Sequence, residues 1–257
     1  MNRLRWAASL GLALFLLPGA ASAYEFVPTE LEWAGWPQYC QARYVTTYVG
    51  QRSPWVSTYP KSGVELAKRQ LGAATFEGVH HYCAGLIWLN RARTEQDKKV
   101  RAFDLLNARD EAMFSFRSLP QESPLRATML ITLGLIGLEE NNSQDAIAFL
   151  QDAIKASPNE PTPYAAMAVA QRRLNRLDLA RDILVEGNAA LNEKSPELQY
   201  NLGLIYLELK QPDLAMERAK LAYDLGSPLP GLKNKLKALG KWNPGDQTSQ
   251  LVDPQPH

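Results

Sequence analysis

The chain has 257 residues, with 28 basic and 27 acidic side chains and a formal net charge of +1. This balance, without a long basic run, argues against a protein that binds nucleic acid or anionic lipid through its overall charge. The length suits one large domain or an array of repeats.

Residues 1–23 have the pattern of a secretory signal peptide. Two arginines form a basic start, an apolar run extends from residue 6 to residue 17, and Ala-Ser-Ala precedes the cleavage point. The apolar run is short for a membrane anchor, and no second run approaches membrane-spanning length. We expect a mature chain that starts at Tyr24, lies in the periplasm and has no membrane span. An uncleaved anchor is the alternative.

Residues 24–77 are predicted to form a helical cap. Thr29 to Glu32 and Ser62 to Glu65 fit the capping-box pattern of a helix start, and a further helix is expected from Trp36-Pro37 through Tyr48. The segment is rich in aromatic residues, which are Trp33, Trp36, Tyr39, Tyr44, Tyr48, Trp55 and Tyr59. We expect these rings to bury one end of the fold; an aromatic binding surface is the alternative.

Residues 78–126 are predicted to contain two helices. The first starts at an N-cap Thr75, includes the sequence HHYC at positions 80–83 and ends near Ala92. The second is a long helix over residues 94–116.

HHYC raises two possibilities, because the chain has only three histidines and two cysteines. In an exported protein, Cys40 and Cys83 most simply form a disulfide, which closes a loop of about 44 residues and stabilises the fold by roughly 4 kcal/mol. The alternative is a metal-binding or metal-delivery protein. Glu77, His80 and Cys83 share one helix face and, with Cys40, could surround a zinc ion. Without a metal, His80 and His81 form a core-edge or surface pair that could titrate near neutral pH.

Catalytic motifs are absent from the mature sequence. It has no GxSxG, HExxH, GxGxxG or phosphate-binding glycine loop, and no serine or acid is brought to the histidines by sequence spacing. We therefore predict no catalytic residue, no cofactor and no enzymatic activity.

The second half of the chain has a fixed period. Small and apolar residues recur at spacings of 34 and 35 in three series: Leu133-Gly134, Met167-Ala168 and Leu202-Gly203; Ala146, Ala180 and Ala215; Ala153, Gly187 and Ala222. Glycine or alanine at such positions allows two antiparallel helices to cross closely. The shared excess of one residue places an insertion in the Asn192–Ser195 loop.

Each repeat also has signals for two helices. A hydroxyl residue followed by proline predicts a helix start at Ser123, Thr162 and Ser195. Breaks between the paired helices are expected at Asn141-Asn142, Asn175 and Gln211-Pro212.

LGLIGLEENNSQDAIAFLQDAIKASP, residues 133–158, resembles a tetratricopeptide repeat, a helix pair of about 34 residues with a Leu-Gly step and later alanines. The resemblance implies an all-α, right-handed solenoid with three repeats over 127–228. A capping helix at 229–240 and a disordered tail at 241–257 would follow. Residues 78–126 resemble a fourth, degenerate unit with about eleven extra residues.

The resemblance also implies a binding surface. In this family the first helices of successive units line a concave face that holds a peptide segment or helix of a partner protein. Carried over by position, the groove residues are Ile131, Leu135, Glu139, Val169, Arg172, Arg173, Tyr200, Asn201, Leu204 and Glu208. Arg172 and Arg173 could clamp an acidic segment, or they could be a solvated helix end. The lysines and asparagines of the family's dicarboxylate clamp are mostly missing.

Together these observations predict a non-catalytic periplasmic adaptor. It would mediate protein–protein interaction in envelope assembly, secretion or surface-structure export, an inference that rests on family analogy. The metal-binding protein is the first alternative, and an accessory subunit of an envelope enzyme is the second.

Overall fold

The computed structural model describes residues 27–242, so the predicted signal peptide and nearly all of the predicted tail lie outside the described residues. Within 27–242 the regular structure is helical, with two short 3₁₀ turns at Gly50–Arg52 and Pro54–Ser57. The α-helices are α1 (Glu30–Gly35), α2 (Gln38–Tyr44), α3 (Lys61–Leu71), α4 (Ala73–Thr94), α5 (Lys98–Ser118), α6 (Arg126–Glu139), α7 (Ser143–Ala156), α8 (Pro161–Arg173), α9 (Leu177–Ala190), α10 (Pro196–Glu208), α11 (Pro212–Asp224) and α12 (Gly231–Ala238). None of these helices is long and apolar enough to cross a membrane.

Helices α6 to α11 form three consecutive hairpins. The pairs are α6 with α7, α8 with α9, and α10 with α11, and each pair packs against the next. The first helices α6, α8 and α10 also contact one another directly. This arrangement confirms the all-α helical-hairpin solenoid.

Small residues allow the paired helices to approach closely. A Cβ atom added to Gly134 of α6 would lie 2.5 Å from Cγ of Leu150 in α7, and Leu150 is fully buried. A Cβ on Gly187 would lie 2.7 Å from the ring of Tyr164. The periodic alanines Ala146, Ala180 and Ala215 are also fully buried, so the small residues of the repeat do mark the helix crossings.

The breaks between paired helices lie where the sequence predicts them. Asn141 and Asn175 follow α6 and α8 with φ values of 59° and 58°, a left-handed conformation that asparagine tolerates better than most residues. Lys210 takes the equivalent position after α10, with φ 62°. The predicted insertion loop contains two further left-handed residues, Asn192 at 52° and Glu193 at 60°.

The predicted helix starts were less accurate. Ser195 caps α10 by accepting a hydrogen bond from the backbone N–H of Leu198. The predictions for Ser123 and Thr162 are wrong, because α6 starts after Leu125 and α8 is capped by Glu160. The Ser123 hydroxyl accepts one hydrogen bond from the backbone N–H of Leu125, before α6, and another, 3.1 Å long, from the Thr75 hydroxyl.

Helices α4 and α5 form a longer hairpin of 22 and 21 residues before the three repeats. The lengthened second helix is present, but it starts at Lys98 because the Asp97 carboxylate accepts from the backbone N–H groups of Lys99 and Val100. Thr75 is not the N-cap of α4, which starts at Ala73.

The N-terminal helices pack around α4 through an aromatic cluster. Trp33 stacks on Trp55 with ring centroids 5.0 Å apart, and Trp36 and Tyr44 are buried beside them. The capping box of α1 at Thr29 is present. The box predicted at Ser62 is wrong, since α3 starts one residue earlier without a side-chain cap, and α2 ends at Tyr44 rather than Tyr48.

Helix α12 covers the other end of the array. Its Leu232 and Leu236 are fully buried against α10 and α11, while Lys235 and Lys237 are exposed. This is the packing expected of a helix that shields the last repeat.

Gly134→Ala tests the close helix crossing. We expect a loss of about 1–3 kcal/mol in the free energy of unfolding, because the buried Leu150 has no room to move, measured by urea unfolding. Gly78→Ala in α4 is the matched control, since its nearest neighbour would be Ser118 Oγ at an ordinary 3.8 Å and alanine favours a helix by about 1 kcal/mol. Equal unfolding midpoints for the two variants would contradict the crossing.

Candidate functional site

Cys40 of α2 and Cys83 of α4 form a disulfide, with their Cα atoms 5.4 Å apart. Both residues are fully buried, and the Trp36 indole donates a hydrogen bond to the carbonyl of Cys83. The predicted disulfide is therefore confirmed, and it joins the N-terminal cap to the α4–α5 hairpin.

The disulfide removes two ligands from the alternative zinc site. A sulfur bonded to another sulfur is not a thiolate and does not ligate zinc as one, which leaves Glu77 and His80 from the proposed set. Among residues 27–242 no group of three His, Cys, Asp or Glu side chains is placed to hold a metal ion.

The polar residues around HHYC connect α4 to its neighbours. His81 is buried, and its Nδ1 lies 2.6 Å from Oε2 of Glu111 in α5. Nδ1 of His80 lies 2.9 Å from the carbonyl oxygen of Glu77, whose carboxylate pairs with Arg43 of α2 at 3.1 Å. The polar residues around HHYC therefore hold the helices α2, α4 and α5 together.

His80 does not titrate near neutral pH in the folded chain. Burial is the largest cause, and the neighbouring His81 and Arg43 add to it; together they lower the pKa of His80 from 6.5 to about 4. The expectation of a near-neutral titration is therefore wrong for His80.

Four of the predicted groove residues lie together between α8 and α10. Val169 and Arg172 of α8 line one shallow pocket with Asn201 and Leu204 of α10. Leu135 of α6 packs on the same small core cluster as Val169, which extends the apolar surface to a third helix. Ile131, one turn earlier in α6, is half-buried.

The two arginines have different roles in the structure. Arg172 pairs with Glu208 at 3.3 Å, and both side chains are about 40% exposed, at 39% and 41%. Arg173 donates instead to the carbonyl oxygen of Leu138 at the end of α6. Of the two arginines, Arg172 lines the pocket. Arg173 donates to a carbonyl at the C-terminal end of α6, in the preceding repeat.

Two other predicted groove residues belong to the framework. Glu139 is held by Arg101 at 2.7 Å and by Arg93 at 3.3 Å. Tyr200 has 9% of its surface exposed, and its hydroxyl lies against Gly231 of α12. Tyr200 therefore packs under the end helix rather than lining an open surface. That the remaining groove residues bind a partner stays a prediction.

Ion pairs that the sequence does not predict join neighbouring hairpins. Arg109 of α5 pairs with Glu140 and lies 3.6 Å from Asp145. No local pattern could have predicted these contacts, because the partners are more than 30 residues apart and the pairing does not recur in the later repeats.

Comparison with known proteins agrees with the fold. The tetratricopeptide repeat family model matches residues 127–160 and 196–225, which contain the hairpins α6–α7 and α10–α11. No curated protein matches the chain significantly. The chain thus contains tetratricopeptide repeats, and the matched residues agree with the helical hairpins of the structure.

Some solved structures resemble this chain. YrrB, described as a TPR protein with an unusual peptide-binding site, has 14% sequence identity and a TM-score of 0.51, over 77% of this chain and 90% of that chain. MamA MSR-1 has 17% identity and a TM-score of 0.43, over 64% of this chain and 86% of that chain. MamA RS-1 has 14% identity and a TM-score of 0.48, over 73% of this chain and 94% of that chain. At 14% identity the likeness to YrrB concerns the fold alone.

The low pKa of His80 predicts a pH dependence of stability. Between about pH 6.5 and pH 4 the unfolded chain binds a proton at His80 that the folded chain does not, so stability falls as the pH falls through this window. His80→Gln removes this contribution, and the variant should lose less stability than the parent protein on acidification. Thermal melts at several pH values measure the difference.

At about pH 8, His80 is neutral in both the folded and the unfolded chain. Thermal melts at this pH therefore give the stability change of the substitution that does not depend on protonation. Parallel stability curves for the two proteins from pH 7 to pH 4 would contradict the prediction.

Proposed function

We propose that the protein is a non-catalytic periplasmic adaptor that holds a segment of a partner protein across helices α6, α8 and α10. The observation that carries this proposal is the half-buried apolar surface of Leu135, Val169 and Leu204, which runs across three adjacent first helices. The envelope assembly, secretion or surface-structure export role rests on analogy with the family.

The dimensions of this surface suit an extended segment. Packed helices lie about 8–10 Å apart, so the apolar surface extends roughly 20 Å across three helices. An extended chain covers that length with about six residues, at about 3.3 Å each. Its alternate side chains would contact the apolar groove residues.

The charges beside the pocket define the expected ligand further. The Arg172–Glu208 pair is exposed, and an exposed ion pair contributes little to stability, about 0–1 kcal/mol. Arg172 can therefore exchange Glu208 for a carboxylate of the bound segment at small cost. A segment with apolar side chains and an acidic residue near Arg172 fits this site.

Export is supported by two separate features. The first 23 residues have a basic start, an apolar run and small residues before Tyr24. The Cys40–Cys83 disulfide is of a kind that persists in oxidising compartments such as the periplasm.

The mass of the intact protein, isolated from the periplasm of its own host without reduction, tests the export proposal. We expect a chain that starts at Tyr24 and is lighter than the reduced form by two hydrogen atoms. A chain that retains residues 1–23, or that carries free thiols, would contradict the proposal.

A photo-crosslinking residue at position 204 tests the groove in living cells. We expect one specific cross-linked protein, identified by mass spectrometry, whose yield falls by about tenfold when Arg172 is replaced by Glu, equivalent to about 1.4 kcal/mol of binding. Arg176→Glu is the matched control, because Arg176 is exposed in the turn after α8 and is absent from the pocket lining. Equal loss of yield in both variants would show that the site near Arg172 does not bind the partner.

A further inference from the structure

The outer face of α5 carries large apolar side chains. Phe103, Leu106 and Phe114 are 58%, 55% and 57% exposed, and Val100 is 45% exposed. The equivalent second helix of the next hairpin, α7, instead exposes polar residues, which are Gln144, Asp145, Gln151, Asp152 and Lys155. Exposed apolar residues grouped on one helix face indicate an interaction surface.

Three of these residues, Val100, Phe103 and Phe114, lie with three polar residues on one seam along the helix. Val100, Phe103, Asn107, Asp110, Phe114 and Arg117 are spaced three, four, three, four and three residues apart, and we call this set the α5 stripe. Such spacing keeps side chains on one face and is the pattern by which one helix packs along another. The order of spacings is the same in both directions along the chain.

We propose that the α5 stripe binds the α5 stripe of a second copy of this chain, with the two helices antiparallel. A twofold axis between Ala108 and Arg109 then places Phe103 of each copy opposite Phe114 of the other. The same axis places Asn107 opposite Asp110. A twofold interface requires a patch that is complementary to itself, and the α5 stripe meets this requirement.

The polar pair at the centre is chemically complementary. The Asn107 amide donates one hydrogen bond, 2.8 Å long, to the carbonyl of Phe103 in its own helix. An amide nitrogen has a second hydrogen to donate, and the carboxylate of Asp110 in the second copy accepts it. At each end, the axis places Arg117 opposite Val100 of the other copy.

A groove beside Phe114 accommodates the incoming ring. It has a volume of about 510 Å³ and lies between α5 and α7, where Met113, Phe114, Ala148 and Phe149 contribute apolar lining. The charged residues Arg109, Asp110, Arg117 and Asp145 form the rest of the lining. Phe103 of the second copy, placed opposite Phe114, would enter this groove. Each copy supplies one phenylalanine and one groove, so the contact is made twice.

A lipid surface fits the α5 stripe less well. Asp110 lies in the middle of the apolar residues, where it would oppose contact with an anionic membrane. In the paired helices the same carboxylate accepts a hydrogen bond from the Asn107 amide of the other copy. Because one helix from each copy forms the contact, we expect an interface below about 1,200 Å² and a weak dimer.

Sedimentation velocity over micromolar to sub-millimolar protein tests the proposal. The parent protein should show a reversible monomer–dimer equilibrium. Phe103→Glu and Phe114→Lys should each raise the dimer dissociation constant by more than about tenfold. An equimolar mixture of the two variants should recover a dimer. In that dimer the introduced carboxylate faces the introduced ammonium group in one contact, and the native Phe103 and Phe114 face each other in the second contact.

Leu179→Glu is the matched control, since Leu179 is 48% exposed on α9, away from the α5 stripe, and the variant should dimerise like the parent. Thermal melts test whether each variant is folded. Recovery of a dimer in the mixture is a second test, because misfolded chains would not recover it. A monomeric parent protein, a dimer unaffected by Phe103→Glu, or a mixture without recovery overturns the proposal. So does a monomer that binds phosphatidylglycerol vesicles through Phe103.

Discussion

The close approach of paired helices at small residues is the constraint on which the rest of the structure depends. Where Gly134 contacts Leu150, the backbones lie near enough for larger residues on either side to interlock. A single hairpin buries its apolar face incompletely, so each hairpin packs against the next. This stacking places the first helices side by side in one surface and leaves the second helices on the other. The groove and the α5 stripe both follow from that division.

Polar contacts then hold neighbouring hairpins in position. The Tyr82 hydroxyl lies 2.9 Å from the hydroxyl of Thr132, and Arg173 donates to the carbonyl of Leu138. At the N-terminal end the Cys40–Cys83 disulfide provides a covalent connection. Since the groove is made of residues from several helices, its shape depends on these connections between hairpins more than on any single helix.

The sequence predicted the elements that repeat or that depend on few residues. The 34-residue period located the hairpins. The presence of only two cysteines predicted the disulfide between them. Helix starts were harder, since Ser123 has the local features of an N-cap but its hydroxyl accepts from the Leu125 N–H in the turn before α6. Tyr200 has a groove position in the family pattern, yet α12 covers it. For Tyr200 a distant segment decided the outcome, and no local pattern records such a contact.

The sequence by itself determined the helical period, the small residues at the crossings and the disulfide, because each is encoded by residue type at fixed spacing. Only the tertiary structure decided which charges meet, such as Arg172 with Glu208, and which apolar residues stay exposed, such as Phe103 and Phe114. Burial and ion pairing depend on what other helices place nearby. Those neighbours lie tens of residues away in the sequence, and the stacking of the hairpins brings them into contact.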